Sequence, residues 1–321
     1  MTIRQAEPRD FPRLLELSYL FDFSPFNIDK KYRSLSENFY PSFADDMIKK
    51  KTSVNIAAEE DGKIVGFVTI GLNDTLSRAV GKKIGNIYLL AVDPVYRSKG
   101  IGRFLVEKGC GVLYTYGADV ITVGTDVYNL PALHVYESTG FKTAMFWHIY
   151  RYFPGAERRQ DEISEDIDLI SRKNLEQYLP HIERPVSLLK DTRIPQDLLT
   201  GYIAEQFIKK SFDDENVILE YRDNGLSKGM IHLSADKLSM ATLDVKKPIY
   251  KISDLIVFPE YAGKGIEIKL LKDIEARMGE YILMEMWAEP GQRDLICALE
   301  ECGFHLSYSG VSLHRWKNKS I

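Results

Sequence analysis

The chain has 321 residues, of which 45% are hydrophobic and 27% charged, and a formal net charge of −4. This composition is that of a folded globular protein, and the length suits two domains, each with its own core. Lys and Arg total 42 against 46 Asp and Glu, which excludes the broad basic surface that nucleic acid binding requires. Three Cys residues with no C-x-x-C pair or zinc spacing favour a reduced, cytoplasmic compartment and predict no metal. The sequence contains no signal peptide and no 18-residue apolar run, so we expect no membrane partner.

The first predicted elements are a strand, a helix and a hairpin. Ile3 opens a short strand, and a helix with apolar residues at helical spacing follows Asp10. Two strand-like runs, 55–59 and 63–70, flank an Asp61-Gly62 turn, whose positive φ angles suit a tight hairpin.

The elements that follow complete a mixed α/β sheet with helices packed against it. The run 86–92 is nearly all apolar, which predicts a strand covered on both faces. After it we expect a helix from Ile101 to Val112, a buried strand 120–123, a helix 129–138 and a strand 141–152.

An internal repeat divides the chain into two copies. Five residues of the first copy recur in the same order 165 residues later: Pro94, Tyr96, Lys99, Gly100 and Ile101 match Pro259, Tyr261, Lys264, Gly265 and Ile266. Glycines on both sides of this segment recur at an offset of 163: Gly62, Gly66 and Gly140 match Gly225, Gly229 and Gly303. The repeat predicts tandem domains at 1–155 and 167–321, joined by a charged linker at 156–166.

The first candidate motif, Arg97-Ser98-Lys99-Gly100-Ile101-Gly102, lies between a buried strand and a helix. Glycines there allow backbone N–H groups to point into a concavity, and the helix N-terminus adds partial positive charge, so phosphate oxygens would be stabilised. A plain tight turn explains the same residues. The motif is neither a Walker A loop nor a Rossmann fingerprint, because Lys99 precedes Gly100 and Leu105 stands where a third glycine is needed.

The second candidate motif runs from Asn129 to Phe141 and contains Tyr136. Asn129 follows a strand, and Tyr136 is two helical turns further along the same helix face. A tyrosine at such a position is also a common core residue.

Together the two motifs resemble the acetyl-CoA-binding core of the GCN5-related N-acetyltransferase (GNAT) superfamily. That core has the pattern Arg/Gln-x-x-Gly-x-Gly/Ala, followed by Asn-x-x-Ala-x-x-x-Tyr-x-x-x-Gly-Phe, which matches Arg97–Gly102 and Asn129–Phe141. The resemblance covers residues 1–150 and, more loosely, 165–318. It implies an α/β fold with a mixed sheet, present as two tandem acyl-CoA N-acyltransferase (GNAT) folds, and an acyltransferase activity.

The resemblance also implies a role for each matching residue. Tyr136 would be the general acid that protonates the departing thiolate, since a phenol is protonated at neutral pH. Asn129 would contact the cofactor near the ends of the strands. The backbone of Leu90, Ala91 and Val92 would pair with the pantetheine arm. The pyrophosphate would be held by a turn made of Arg97, Ser98, Lys99, Gly100, Ile101, Gly102 and Arg103.

The general base and the acceptor stay open at this stage. Many family members carry a Glu at the position of Asn86, which cannot accept a proton. Glu59, Glu60 and Asp126 are near the expected strands, and proton loss through water is an alternative. For an amine acceptor, Asp22 and Phe23 are weak candidates within an aromatic-rich segment that follows the first helix.

The second copy is expected to keep the fold without the cofactor. Arg97, Gly102 and Tyr136 are replaced by Ala262, Glu267 and Leu299. A carboxylate at Glu267 would repel pyrophosphate, and Leu299 has no proton to donate. Cys297 and Cys302 are interpreted as small buried hydrophobic residues, and all six His residues as structural or surface groups.

The sequence therefore predicts an N-acetyltransferase that uses acetyl-CoA and no metal. The acceptor is a small-molecule or peptide amine, and the chain is either a monomer with an internal pseudo-dimer or a homodimer. Two alternatives remain: a non-catalytic acyl-CoA-binding module, and an acyltransferase with a different acyl donor.

Overall fold

A computed structural model describes residues 1–19, 43–154, 163–170, 172–182, 187–211, 216–236, 240 and 246–317. The chain divides into two compact units. Unit 1 comprises Met1–Met145, Ser187–Leu199 and Gly310–Ile321, and unit 2 comprises Phe146–Val186 and Thr200–Ser309.

The elements of the first copy agree with the predicted ones and extend most of them by one to three residues. In chain order they are β1 (Thr2–Gln5), α1 (Phe11–Ser18), α2 (43–49), β2 (Ser53–Glu60), β3 (Lys63–Leu72), α3 (Asp74–Val80), β4 (Ile84–Val92), α4 (Ile101–Thr115), β5 (Val120–Asp126), α5 (Leu130–Ser138) and β6 (Lys142–Tyr152).

The second copy repeats this order, although its described elements include no counterpart of α3. Its elements are β7 (Ile167–Leu169), α6 (Arg172–Leu175), α7 (Gln196–Ser211), β8 (Asn216–Asp223), β9 (Leu226–Ala235), β10 (Ile249–Val257), α8 (Ile266–Arg277), β11 (Leu283–Ala288), α9 (Arg293–Glu301) and β12 (His305–Trp316).

The sheet of unit 1 has the strand order β1-β2-β3-β4-β5, and the Gly310–Trp316 part of β12 lies beyond β5. Neighbouring strands are antiparallel except β4 and β5, which are parallel. The sheet is mixed, as predicted, and α4 packs on β3 and β4.

The sheet of unit 2 has the same order and orientations, β7-β8-β9-β10-β11, and its last strand is His148–Tyr152 of β6. The parallel pair here is β10 and β11. Two copies of one topology confirm the interpretation of the sequence repeat.

The compact units differ from the predicted division at 155–167 in three segments: β6 from Phe146 onwards belongs to unit 2, and Ser187–Leu199 and Gly310–Ile321 belong to unit 1. Gly310–Trp316 of β12 pairs with the whole of β5, and His148–Tyr152 of β6 pairs with β11. The last strand of each copy therefore pairs with the sheet of the other copy. Most of the predicted linker, 156–166, lies outside the described residues.

Gly66 and Gly229, at equivalent positions of the repeat, let two neighbouring strands lie close together in each copy. A Cβ on Gly66 would lie 2.9 Å from the Ala91 carbonyl oxygen, and one on Gly229 would lie 2.9 Å from the Ile256 carbonyl oxygen. Both glycines allow the third strand of the unit to approach the fourth closely.

Unit 1 has a hydrophobic core on each face of its sheet. On one face α4 and α5 cover Val68, Ile70 and Ile121, together with Val311 and Leu313 of β12. On the other face Leu14 of α1 and Ile48 of α2 pack with Phe67, Leu89 and Ala91.

Two of the three cysteines are buried. Cys110 and Cys302 are buried, and burial raises the pKa of the Cys110 thiol to about 11. Cys297 is exposed, so its interpretation as a buried residue was wrong: it lies on the outer face of α9. Across the described ranges, every helix is too short or too polar to cross a bilayer.

Candidate active site

The site of unit 1 begins where β4 and β5 separate. The two strands pair only from Ile84↔Val120 to Asn86↔Thr122, although β4 continues to Val92 and β5 to Asp126. The ladder between β3 and β4 skips Tyr88, which forms a bulge just beyond this point. Because a bulge bends its strand, it turns β4 away from β5 and leaves one edge of β4 facing a cleft.

The predicted phosphate turn lies at the end of this cleft. After β4, a short 3-10 helix at Pro94–Tyr96 leads through Ser98 and Gly100 into α4. Ser98 has φ +61° and Gly100 has φ +79°, which are left-handed conformations. Gly100 occupies the N-cap position without a side-chain cap, so the first N–H groups of α4 are available to an anion.

Gly102 is not required by the packing of the protein itself. A Cβ at this position would lie 3.6 Å from Val135 and 3.8 Å from Val92, which are ordinary van der Waals distances. A glycine in the first turn of α4 leaves the backbone open to a close ligand.

The cationic side chains around the turn are exposed and each has a local contact. The Arg97 Nε donates to the Val92 carbonyl oxygen at 3.1 Å. The Lys99 ammonium lies 4.8 Å from the centre of the Tyr96 ring, and Arg103 pairs with Glu107 at 3.2 Å. Together with the helix N-terminus they make this turn electropositive.

The candidate cofactor residues on β4 line the separating edge of the strand. Leu90 and Val92 are half-buried, and Ala91 is buried. They pair with β3 on one side, as Val68↔Leu90 and Gly66↔Val92 show. On the other side the parallel ladder with β5 has already ended.

Tyr136 and Asn129 are on α5, on the same side of the sheet as the turn. Tyr136 is buried in the same core cluster as Ile101 of α4, and its ring packs edge-on against Phe141 at 5.7 Å. The Asn129 side chain caps α5 by accepting from the Ala132 N–H at 3.2 Å. The N-terminus of α4 and Tyr136 are therefore on the same face of the sheet of unit 1.

Asn86 and two of the candidate bases, Glu59 and Asp126, contact other groups. Asn86 accepts a hydrogen bond from the Thr122 hydroxyl at 2.6 Å. Glu59 is paired with Arg4 at 2.8 Å, and an oxygen of Asp126 accepts from the Tyr128 N–H at 2.7 Å. Glu60 ends β2, beyond the region where β4 and β5 separate. Asp22 and Phe23 lie outside the described residues.

The end of β12 brings into unit 1 a polar cluster that no sequence pattern predicted. His314 lies beside Thr122 in the sheet and contacts Asp191 and Ser187. The repeat aligns His314 with Arg151, but no residue pattern signals that the last strands are exchanged. The interpretation of all His residues as structural or surface groups did not separate His314 from the rest.

Unit 2 keeps the shape of the turn and differs in its side chains. Gly263 and Gly265 have φ +72° and +71°, matching Ser98 and Gly100, while Glu267 is the second residue of α8, where α4 has Gly102. Leu299 is fully buried at the position of Tyr136. A cavity of about 740 Å³ lies along the separating part of β10, lined by Ser253, Asp254, Leu255, Met286 and Trp287, among others.

Known proteins match the first copy as a family and the whole chain as a fold. The model of the acetyltransferase (GNAT) family matches residues 15–141. A mycothiol acetyltransferase from Thermobispora bispora is 37% identical over 84 residues, which are 26% of this chain and 28% of that protein. An uncharacterised N-acetyltransferase from Methanocaldococcus jannaschii is 26% identical over 147 residues, 44% of this chain and 60% of that protein. The chain thus matches just over a quarter of the length of the mycothiol acetyltransferase.

Solved structures are similar over the whole chain. A GCN5-related N-acetyltransferase from Sphaerobacter thermophilus has a TM-score of 0.61 at 15% identity, covering 100% of this chain and 96% of that one. A tandem GNAT protein from the clavulanic acid biosynthesis pathway has a TM-score of 0.56 at 14% identity, covering 100% and 99%. These likenesses concern the fold. Residues 15–141 thus match the acetyltransferase (GNAT) family, and the chain as a whole has the fold of these two proteins.

Proposed function

We propose that unit 1 transfers an acetyl group from acetyl-CoA directly to a primary amine. The observation that carries this proposal is the turn at Ser98–Gly102, where two left-handed residues and an uncapped helix N-terminus lie at the end of the cleft between β4 and β5. Tyr136 on the same side of the sheet adds a proton donor.

The residues present fit the parts of coenzyme A. The diphosphate would be held by the N–H groups between Ser98 and Arg103, and the missing Cβ of Gly102 permits close approach. The pantetheine arm carries amide groups, which can pair with the free edge of β4 at Leu90 and Val92 as an added strand would. Arg97 and Lys99 supply positive charge at the exposed rim.

The chemistry is an attack of a neutral amine nitrogen on the thioester carbonyl carbon. A C–N bond forms, the C–S bond breaks, and the departing sulfur takes a proton from the Tyr136 hydroxyl. No covalent enzyme intermediate is needed. The fold selects neither the amine nor the acyl chain length. The cytoplasmic location stays a prediction.

Replacing Tyr136 by Phe tests the role of the hydroxyl. This change keeps the ring packing against Phe141, so we expect kcat to fall about 100-fold while the KM for acetyl-CoA and the melting temperature stay unchanged. Steady-state assays of coenzyme A release with a panel of amines would measure this. Tyr114→Phe is the control, since it removes a hydroxyl that donates to the Arg315 carbonyl. A Tyr136→Phe enzyme with wild-type kcat would contradict the role.

Titration calorimetry tests the asymmetry of the two units. We expect one acetyl-CoA per chain, because Glu267 places a carboxylate at the turn of unit 2. Two equal sites per chain would refute the proposal that unit 2 has lost the cofactor.

A further inference from the structure

Three side chains form a polar row across the sheet of unit 1. Asn86 pairs with Thr122 in the parallel ladder, and Thr122 pairs with His314 in the antiparallel one. Directly paired residues direct their side chains to the same face of a sheet. Because the ladder between β4 and β5 ends at Asn86↔Thr122, the row lies where the cleft opens.

His314 is the titratable member of this row, and both of its ring nitrogens are engaged. Nδ1 lies 3.2 Å from the Asp191 Oδ2, and Nε2 lies 3.0 Å from the Ser187 Oγ. A carboxylate can only accept a hydrogen bond, so Nδ1 carries the proton. Nε2 then presents its lone pair to the Ser187 hydroxyl.

Asp191 is held firmly in place for this contact. Its carboxylate accepts from Trp316 Nε1 at 2.7 Å and from the Arg193 guanidinium at 2.9 and 3.0 Å. The Gln196 side chain donates to the Asp191 carbonyl oxygen at 2.8 Å, which fixes the backbone of the same segment. The imidazole orientation is therefore set by an ordered and charged partner.

The charge state of His314 suits a proton acceptor. Burial lowers the pKa of His314, the hydrogen bond and charge of Asp191 raise it, and the charge of Arg193 lowers it, leaving it below its usual value. Thr122, Asn86 and Ser187 do not titrate. The ring is therefore neutral at pH 7 and has a basic nitrogen.

The equivalent row of unit 2 contains no histidine. It consists of Lys251, Glu285 and Arg151, and the Arg151 guanidinium is bonded to Glu285 at 2.8 and 2.9 Å. The exchange of last strands thus places His314, rather than Arg151, in the unit that has the phosphate turn and Tyr136.

We propose that the Ser187–His314 pair takes up the proton that the acceptor ammonium must lose before it attacks the thioester. The ammonium gives a proton to the Ser187 Oγ while the hydroxyl proton of Ser187 passes to His314 Nε2. The resulting imidazolium is stabilised by the Asp191 carboxylate. Ser187 is the group that meets the amine, and His314 and Asp191 act through it. This inference rests on the proposed acetyl transfer and assigns the base that Asn86 cannot provide.

Dependence of the rate on pH tests the pair. For His314→Gln we expect kcat at pH 7 to fall about 100-fold, with unchanged affinity for acetyl-CoA. The loss should shrink as pH rises towards the pKa of the amine, because the acceptor then arrives already neutral. The wild-type enzyme should lose activity only below about pH 6.5, since the neutral form acts and its pKa is lowered. Imidazole in solution should partly restore His314→Ala.

Two further variants separate this role from a structural one. His232→Gln disrupts the other buried His–Asp pair, His232 with Asp254 at 3.2 Å in unit 2, and should leave the pH profile unchanged. Ser187→Ala removes a single hydroxyl and should lower kcat at least tenfold at pH 7, again less at high pH. If His314→Gln fails to fold, the kcat and pH profile of Ser187→Ala test the proposed proton transfer instead.

The outcomes distinguish this inference from the function on which it rests. Wild-type kcat and pH profile in folded His314→Gln, or in Ser187→Ala, would overturn the inference and leave acetyl transfer intact. If the wild-type chain binds acetyl-CoA but transfers acetyl to no amine, both the proposed function and the inference fail.

Discussion

At the scale of single residues, Gly102 separates the two units more clearly than any other position of the turn. Both turns have the same left-handed backbone, so their shape alone does not explain a difference in binding. The second residue of α4 is Gly102, and that of α8 is Glu267. Since a Cβ fits at Gly102 without displacing the protein, packing does not require this glycine, whereas the proposed diphosphate site would.

Gly102→Glu should therefore convert the turn of unit 1 into that of unit 2. We expect the melting temperature to change little and the Kd for acetyl-CoA to rise about tenfold or more, because a carboxylate would face the diphosphate. Calorimetry would measure the Kd. Gly102→Ala, which adds the Cβ without the charge, should weaken binding less. Equal affinity in Gly102→Glu and the wild type would show that the diphosphate is bound elsewhere.

The residues of the site differ in how far the sequence could predict them. Ser98–Gly102 and Tyr136 follow one another closely, and their spacing carries enough information to place them on one turn and one helix. Asp191 and His314 are 123 positions apart, and they meet because Ser187–Leu199 and the end of β12 both belong to unit 1. No local pattern of either residue indicates that contact.

At the scale of elements, the close packing of β3, β4 and α4 defines the cleft. Gly66 lets β3 lie against β4, and a Cβ there would be 2.9 Å from the Ala91 carbonyl oxygen and 3.2 Å from Leu105 Cδ1. The bulge at Tyr88 then directs the end of β4 away from β5. The sequence predicts these strands well because they are apolar and bounded by turn residues. It does not predict the bulge, since Tyr88 fits a regular strand equally well.

Gly66→Ala should destabilise unit 1 by about 1–3 kcal/mol, because backbone atoms cannot yield to the new methyl group. Gly111→Ala is the matched control: it lies on the exposed face of α4, with open space around its Cβ, and should stabilise the helix by up to about 1 kcal/mol. Urea unfolding of both variants would test the pair. An unchanged midpoint for Gly66→Ala would mean that the close approach of β3 and β4 is not needed.

At the scale of the whole molecule, the exchange of last strands makes neither copy complete on its own. Val311 and Leu313 of β12 are buried in the core of unit 1, and Ile149 and Tyr150 of β6 are buried in unit 2. The sequence repeat predicts two folds with the same topology. It cannot predict the exchange, because β6 and β12 occupy equivalent places and either could pair with β5.

Removing residues 310–321 should abolish acetyl-CoA binding. The edge of β5 would be exposed, and the burial of Val311 and Leu313 would be lost at about 1.5–3 kcal/mol each. Removing residues 318–321 alone should leave binding unchanged. Calorimetry and thermal unfolding of the two shortened chains would decide. Full affinity after removal of 310–321 would mean that β6 can take the place of β12.

The late position of β12 in the chain also sets an order of events during synthesis. When β5 has been made, the ribosome must still add the whole second copy before Gly310–Trp316 exists to cover it. The nascent first copy therefore waits with an open sheet edge, the situation in which chaperones are most needed. A pause in translation or an early release of the polypeptide would leave that edge open to other molecules, so we expect the first copy to bind acetyl-CoA only after Gly310–Trp316 has been made.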